Sequence, residues 1–127
     1  MSEHKDLVVI SQKPQLPAVI EENGIYGYLE QIKKFPVLTE DEEKRLIEDF
    51  QNKGDLLAAQ KLITSHLRLA AKIALTYRRY GLPMSDVISE ANLGLMQAVK
   101  KFDMNKKVRL ATYAIWWIKA AINDYIL

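Results

Sequence analysis

Apolar residues recur every three or four positions along most of this chain, and no stretch of useful length alternates apolar with polar residues. The clearest example lies near the C-terminus, where Ile115, Ile118, Ile122 and Ile126 fall on one side of a helix that turns about 100° per residue. Each such stripe has to be buried against another helix. The spacing therefore predicts an all-α fold whose helices pack around one aliphatic core.

Breaks in this spacing predict five helices. Pro36 ends the first helix, because the residue before a proline avoids the helical region. Thr39 and Glu42 form a capping box at the start of the second. Gly54 and Gly81 are suited to end the second and third helices. The predicted helices cover residues 24–34, 40–52, 56–80, 83–102 and 110–126.

The chain has the length of one domain, with 127 residues. Residues 1–22 lack any helical or strand period and contain Pro14 and Pro17, so they are predicted to be a mobile N-terminal tail before a helical domain at residues 23–127. The last predicted helix has no stop signal before Leu127. We therefore expect the chain to be the N-terminal part of a longer protein.

Composition excludes several classes of function. Cysteine is missing, which excludes disulfides and thiolate metal sites and suits the cytoplasm. No segment approaches the ~18 consecutive apolar residues of a membrane span, and the first residues do not resemble a secretory signal. No glycine-rich phosphate loop or metal-ligand spacing is present. We expect a cytoplasmic protein without a membrane span, metal or cofactor.

Two residue pairs invite an enzymatic interpretation. Asp86 and Glu90 are four residues apart on one helix face, but no further catalytic group accompanies them in the pattern, so a solvent-facing or partner-facing role is preferred. Ser65 and His66 are adjacent, and neighbouring residues of a helix point in different directions. They are therefore not expected to form a nucleophile and base. The chain is not predicted to be an enzyme.

Charge is divided unequally along the chain. Residues 1–60 hold 7 basic and 12 acidic residues, whereas residues 61–127 hold 11 basic and 4 acidic ones. A basic half suggests a polyanionic partner. The acidic half suits either a shield for that surface or an ordinary solvated helix.

The last predicted helix carries an aromatic face opposite its isoleucines. That face consists of Tyr113, Trp116, Trp117, Ala120 and Asn123. The basic residues around it are Lys106, Lys107, Arg109 and Lys119. Cations neutralise phosphates, and flat rings stack on unpaired bases at about 1–3 kcal/mol per base. The combination predicts a site for single-stranded nucleic acid, and the alternative is a protein-interaction module in which both tryptophans are buried.

Long collinear segments resemble one family of proteins. The segment DVISEANLGLMQAVKKFD, residues 86–103, closely resembles region 2.2 of bacterial sigma factors of the sigma-70 family. The segment RLATYAIWWIKAAI, residues 109–122, resembles regions 2.3 and 2.4. Residues 24–59 resemble region 1.2, and the helix beginning at His66 resembles region 2.1. Details at residues 65–68, 80–83 and 124–127 are most similar to the heat-shock branch, the RpoH type.

The resemblance implies a fold of the sigma region 2 type and a role in transcription initiation without catalysis. In the family, regions 2.3 and 2.4 bind the non-template strand of the promoter −10 element and flip a base out of the duplex. Phe102, Arg109 and Tyr113 match the positions that line its pocket, and Trp116 and Trp117 match the pair that wedges against the duplex. A second pocket, for a downstream base, would involve His66, Arg68 and Leu69.

The resemblance also implies a protein partner. In the family, region 2.2 docks on a coiled coil of the β′ subunit of core RNA polymerase. The matching positions here are Asp86, Ser89, Glu90, Asn92 and Met96. Ser89 replaces a glutamine that many members have, so its contact is expected to differ. Further promoter-binding domains, which lie beyond region 2 in the family, are missing from these residues.

Four positions depart from the housekeeping pattern. Leu110 replaces a phenylalanine, Ala120 and Asn123 replace a glutamine and a threonine that recognise the upstream end of the −10 element, and His66 replaces an asparagine. We expect a different −10 preference, suited to heat-shock promoters. The resemblance to the heat-shock branch also implies control by chaperones or proteases. A general-stress or sporulation sigma factor is the alternative within the family.

Overall fold

The structure is a computed structural model, which describes residues 24–127. The tail predicted at residues 1–22 lies outside this range. The described residues form six α-helices, one short 3₁₀ turn and no strand, which confirms the all-α class. The elements are α1 (Ile25–Ile32), α2 (Glu40–Lys53), α3 (Leu56–Thr64), α4 (Leu67–Leu75), the 3₁₀ turn (Arg78–Tyr80), α5 (Met84–Lys101) and α6 (Leu110–Ile126). None of these helices is both long and apolar enough to cross a bilayer.

The predicted count of five helices is wrong, because the stretch at residues 56–80 is broken at Ser65 and His66. The Ser65 hydroxyl donates to the carbonyl of Leu62 at 2.9 Å, and His66 Nδ1 lies 2.7 Å from the same oxygen. His66 has φ −114° and ψ 6°, outside the helical region. Side-chain bonds to a nearby carbonyl compete with the helical ladder, so α3 ends here and α4 begins a turn later.

Local signals fix the start and end of α2 as predicted, but the predicted end at Tyr80 is wrong, because α4 ends at Leu75 and a separate 3₁₀ turn precedes Gly81. The Glu42 amide donates to the Thr39 hydroxyl at 3.1 Å, while the Thr39 amide donates to the Glu42 carboxylate at 2.8 Å. This bond to the Thr39 amide lowers the pKa of Glu42. Gly54 and Gly81 take positive φ angles of 67° and 75° at the ends of α2 and the 3₁₀ turn. A residue with a Cβ would be strained at either position.

The core is one apolar cluster to which every α-helix contributes. Helices α5 and α6 form its centre and have the most extensive contact of any pair. The fully buried stripe of α6 consists of Leu110, Ala114, Ile118 and Ile122. Of the predicted isoleucine stripe, Ile118 and Ile122 are thus fully buried, whereas Ile115 and Ile126 are only half-buried at its edge.

Gly94 allows α5 and α6 to approach backbone to backbone. A Cβ built at this glycine would lie 2.6 Å from the Trp117 carbonyl oxygen and 2.9 Å from Ile118 Cα. It would also lie 2.9 Å from Ala121 Cβ. These are backbone and first side-chain atoms, which no rotamer change can move. The position of the tryptophan-bearing helix therefore depends on the missing side chain at Gly94.

Gly94→Ala is expected to destabilise the fold by about 1–3 kcal/mol or more, because overpacking a close helix contact forces the backbones apart. Urea denaturation measures the loss. Gly27→Ala is the matched control, since nothing lies within 4 Å of a Cβ there and alanine favours a helix interior. Equal stability of the two variants would contradict the close-approach argument.

Candidate nucleic-acid interface

Four aromatic rings form a continuous row from the end of α5 onto α6. The ring centroids of Phe102 and Tyr113 are 5.4 Å apart, those of Tyr113 and Trp117 are 6.2 Å apart, and those of Trp117 and Trp116 are 5.8 Å apart. Every pair meets edge to face. Edge-to-face pairs stabilise one another beyond their burial, so the row is held rigid before any ligand arrives.

The row is graded from core to solvent. Phe102 is buried, Tyr113 and Trp117 are half-buried, and Trp116 is 69% exposed. The exposed Trp116 contradicts the alternative in which both tryptophans are buried. The Trp117 indole nitrogen is buried without a hydrogen-bond partner among the described residues. A large exposed ring held on a rigid row leaves a flat surface for stacking.

Lysines lie directly over two of these rings. Lys106 Nζ is 4.8 Å from the Tyr113 ring centroid, and Lys101 Nζ is 5.7 Å from that of Trp117. Both distances are within the range of a cation–π contact. Lys101 was not among the sequence predictions, although it stands one residue before Phe102. The two ammonium groups lie next to the rings, so the phosphate of a base stacked on a ring would be close to positive charge.

The other predicted flanking residues differ in how far they are exposed. Lys107 and Lys119 are exposed, Asn123 is exposed, and Ala120 is half-buried. They are accessible to a ligand that extends along α6. Leu110, by contrast, is fully buried, so its replacement of a phenylalanine acts through packing.

Glu43 is the functional residue that sequence reasoning missed. Its side chain is only 6% exposed, and it accepts from Arg109 Nε at 3.3 Å and from a terminal guanidinium nitrogen at 3.1 Å. It also accepts from the Leu110 amide at 3.1 Å, the first amide of α6. A carboxylate from α2 thus caps the helix that bears the tryptophans, at its positive end. The bond to Glu43 raises the pKa of Arg109.

A signal for Glu43 was present in the sequence. It lies four residues before the buried Ile47, so it shares the inward face of α2. A carboxylate on an inward face needs a cation or several amides. Its partners, however, are 66 and 67 positions away in sequence, which periodicity cannot identify.

One residue predicted for each base pocket lies beside the Glu43 carboxylate. His66, predicted for the downstream pocket, is buried, and its Nε2 lies 3.9 Å from Glu43 Oε1. Arg109, predicted for the other pocket, contacts the same oxygen. Arg68 instead donates to the Phe35 carbonyl at 3.2 Å, and Leu69 is half-buried on α4.

A cleft of about 380 Å³ lies between α2 and the loop that joins α5 to α6. Glu43, Phe102, Lys106 and Arg109 are among the residues that line it. Tyr113, the third predicted pocket residue, is outside this lining and contacts Phe102 from the other side.

The expectation that Ser65 and His66 point apart is wrong, since the Ser65 hydroxyl lies 3.0 Å from His66 Nδ1. The broken helix turns both side chains toward the Leu62 carbonyl. That carbonyl can only accept, so Nδ1 carries the proton and cannot take one from Ser65. The distance of 3.9 Å from His66 to Glu43 is also too long for a hydrogen bond. The group lacks the geometry of a nucleophile and base.

The predicted polymerase-contact residues divide into exposed and buried positions along α5. Asp86 and Ser89 are exposed, and Glu90 and Met96 are half-buried. Asn92 is 8% exposed and donates to the Tyr28 hydroxyl at 3.0 Å. Burial raises the pKa of Tyr28. Asn92 therefore offers a partner almost no surface, and any effect it has on docking would be exerted through α1.

Much of this sequence is shared with known proteins. The family model for sigma-70 region 2 matches residues 62–127. The RNA polymerase sigma factor RpoH of Zymomonas mobilis is 57% identical over 112 residues, and that of Rhizobium radiobacter is 59% identical over 106 residues. These matches cover 88% and 84% of this chain. The RNA polymerase sigma-C factor of Myxococcus xanthus is 51% identical over 105 residues, which is 83% of this chain.

The chain belongs to the sigma-70 family of RNA polymerase sigma factors. The predicted resemblance to the RpoH type is confirmed, since relatives of that name are 55–59% identical. The matched segment spans 37% and 35% of the two RpoH proteins and 35% of the sigma-C factor.

Glu43→Gln is expected to destabilise the fold by about 1–3 kcal/mol, because the amide cannot replace all the bonds that the carboxylate accepts from Arg109 and Leu110. Thermal or urea unfolding measures the change. Glu48→Gln, an exposed change on the same helix, should stay within about 0.5 kcal/mol of the parent. Identical losses in both variants would remove the special role of Glu43.

Proposed function

We propose that this chain is the part of a sigma factor that binds core RNA polymerase and opens the promoter −10 element by capturing its non-template strand. It performs no catalysis itself. The observation that carries the proposal is the aromatic row, with exposed Trp116 at its outer end and Lys101 and Lys106 over its rings. Membership of the sigma-70 family supports it.

The capture of an unpaired strand would use the row in two ways. Trp116 and Trp117 would stack against the last intact base pair, and a flipped base would enter beside Phe102, Arg109 and Tyr113. Flipping a base costs a few kcal/mol of lost stacking, which aromatic contacts of about 1–3 kcal/mol each offset. A base would replace the Lys106 ammonium group over the Tyr113 ring, and Lys106 would turn toward the phosphate of that base.

Salt should weaken this binding. Lys106, Lys107 and Lys119 are exposed and would contact phosphates, and each neutralised phosphate releases a counterion. Arg109 is different, because Glu43 already holds it. We therefore propose that Arg109 shapes the pocket, whereas the three lysines attract the phosphates of the strand.

The proposed docking face for core polymerase is the outward side of α5. We define it as Asp86, Ser89, Glu90, Leu93 and Met96. Leu93, which is 52% exposed, replaces Asn92, which the family resemblance predicts as a polymerase contact but which is buried here. An exposed leucine beside carboxylates suits a partner helix with apolar and basic residues, such as a coiled coil of β′.

Heat-shock promoters are the proposed targets, supported by relatives named RNA polymerase sigma factor RpoH. The −10 preference would differ from the housekeeping pattern at Ala120 and Asn123, which lie toward solvent on α6. His66 would act on the downstream pocket through Glu43. Action in the cytoplasm, and control by chaperones or proteases, follow from the same proposed role.

Trp116→Ala is expected to reduce affinity for single-stranded −10 DNA about fivefold or more, because one stacking surface is worth about 1–3 kcal/mol. Anisotropy of a labelled oligonucleotide measures this. Binding to core polymerase and thermal stability should stay near the parent values, since Trp116 is largely exposed. Tyr26→Ala, which removes an 80% exposed ring outside the row, is the control. If DNA quenches no tryptophan fluorescence in the parent chain, the proposed strand contact fails.

Asp86→Arg is expected to weaken association with core polymerase at least tenfold, because a like charge would face the basic partner. A pull-down or titration with purified core enzyme measures it. Glu48→Arg makes the same charge change on an exposed part of α2 and should leave the affinity unchanged. Unaltered binding of the Asp86 variant would overturn the docking assignment.

A further inference from the structure

The two carboxylates of the docking face have a neighbour that belongs to another helix. Tyr125, in the last turn of α6, donates from its hydroxyl to Asp86 Oδ2 at 3.3 Å. Neither Asp86 nor Glu90 forms an ion pair within residues 24–127. This hydrogen bond links the Asp86 carboxylate to α6, the helix that carries the tryptophans.

We propose that Tyr125 belongs to the docking face and acts as a positioning residue that holds the Asp86 carboxylate for a cationic side chain of core polymerase. The inference rests on the proposed function and adds a residue of α6 to a surface otherwise formed by α5. The occupant is a basic segment of the polymerase, since two carboxylates without a cation of their own attract one.

The antiparallel packing of α5 and α6 explains why these residues meet. The loop between the helices sets Phe102 beside Tyr113, Gly94 faces residues 117–121 further along, and Asp86 reaches Tyr125 at the far end. The docking contact and the aromatic row therefore lie at opposite ends of one helix pair. A phenol at residue 125 can reach Asp86 only while this register holds.

The hydroxyl is suited to remain a donor. A phenol is protonated at neutral pH, and loss of hydration together with the negative charges of Asp86 and Glu90 raises the pKa of Tyr125 further. A bond to one carboxylate oxygen restricts rotation of the Asp86 side chain. A planar guanidinium binds best to a carboxylate whose plane is already fixed. Tyr125 is 36% exposed, so its ring can also contact the partner directly.

Tyr125→Phe tests the proposal, because it removes the hydroxyl and keeps the ring. In the 127-residue chain, affinity for purified core polymerase should fall about two- to tenfold, the range expected for the loss of one ordinary, solvent-exposed hydrogen bond. Affinity for single-stranded −10 DNA and the unfolding midpoint should not change. Tyr26→Phe, at an exposed position of α1, is the control and should bind core as the parent does.

A double-mutant cycle separates positioning from a simple structural effect. In an Asp86→Ala background, Tyr125→Phe should cause no further loss of core affinity, since its acceptor is gone. An equal loss in both backgrounds, or no loss in either, would overturn the inference while leaving the docking face intact. Failure of the parent chain itself to bind core polymerase would instead overturn the proposed function.

Discussion

The carboxylate of Glu43 is the interaction on which the arrangement of the interface depends. It joins α2 to the first turn of α6 through Arg109 and the Leu110 amide, and it does so in a nearly buried position. A buried carboxylate is costly unless its oxygens are satisfied, so the contact tolerates little displacement of either helix. The segment that resembles region 1.2 thereby supports the proposed DNA interface, because it fixes where the tryptophan helix begins. Gln51 adds a second link from α2, donating to the Phe102 carbonyl at the inner end of the aromatic row.

The helix pair α5–α6 separates two proposed tasks along its length. At one end the aromatic row lies open to an unpaired strand, and at the other Asp86 and Tyr125 lie open to a protein. The buried residues between them are small or aliphatic, and Gly94 lets the backbones touch. Tightly packed side chains cannot absorb a displacement of one helix, so the displacement is passed on to the other helix. Binding at one end would therefore shift α5 and α6 together, and the hydrogen bonds from Glu43 and Gln51 would limit that shift.

Local signals predicted much of the fold, whereas partners distant in sequence escaped prediction. The capping box at Thr39, the stop at Gly54 and the full extent of α6 follow from neighbouring residues, and the structure has them where the sequence predicts. Gly81 ends the 3₁₀ turn and not the long helix predicted before it, since α4 already ends at Leu75. The break at His66 could not be predicted, because the apolar spacing continues through it while hydroxyl and imidazole groups compete for one carbonyl. The aromatic face was predictable from spacing. The burial of Asn92 was not, since Tyr28, whose hydroxyl accepts from the Asn92 side-chain nitrogen, lies 64 positions away in sequence. Glu43 illustrates the same limit, because its partners lie on a helix far along the chain.

The backbone contact at Gly94 has a consequence for how such a protein can change over evolutionary time. Where helices are spaced by interlocking side chains, each core replacement alters the spacing and moves whatever the helices carry. Here α5 and α6 meet at main-chain atoms and one alanine Cβ, so side-chain replacements away from this contact have less influence on their distance. Aliphatic residues around this contact can drift in size, with effects on stability, while the aromatic row stays in register with the docking face. The proposed promoter preference can then diverge at the exposed Asn123 and the half-buried Ala120 without rebuilding the scaffold beneath them.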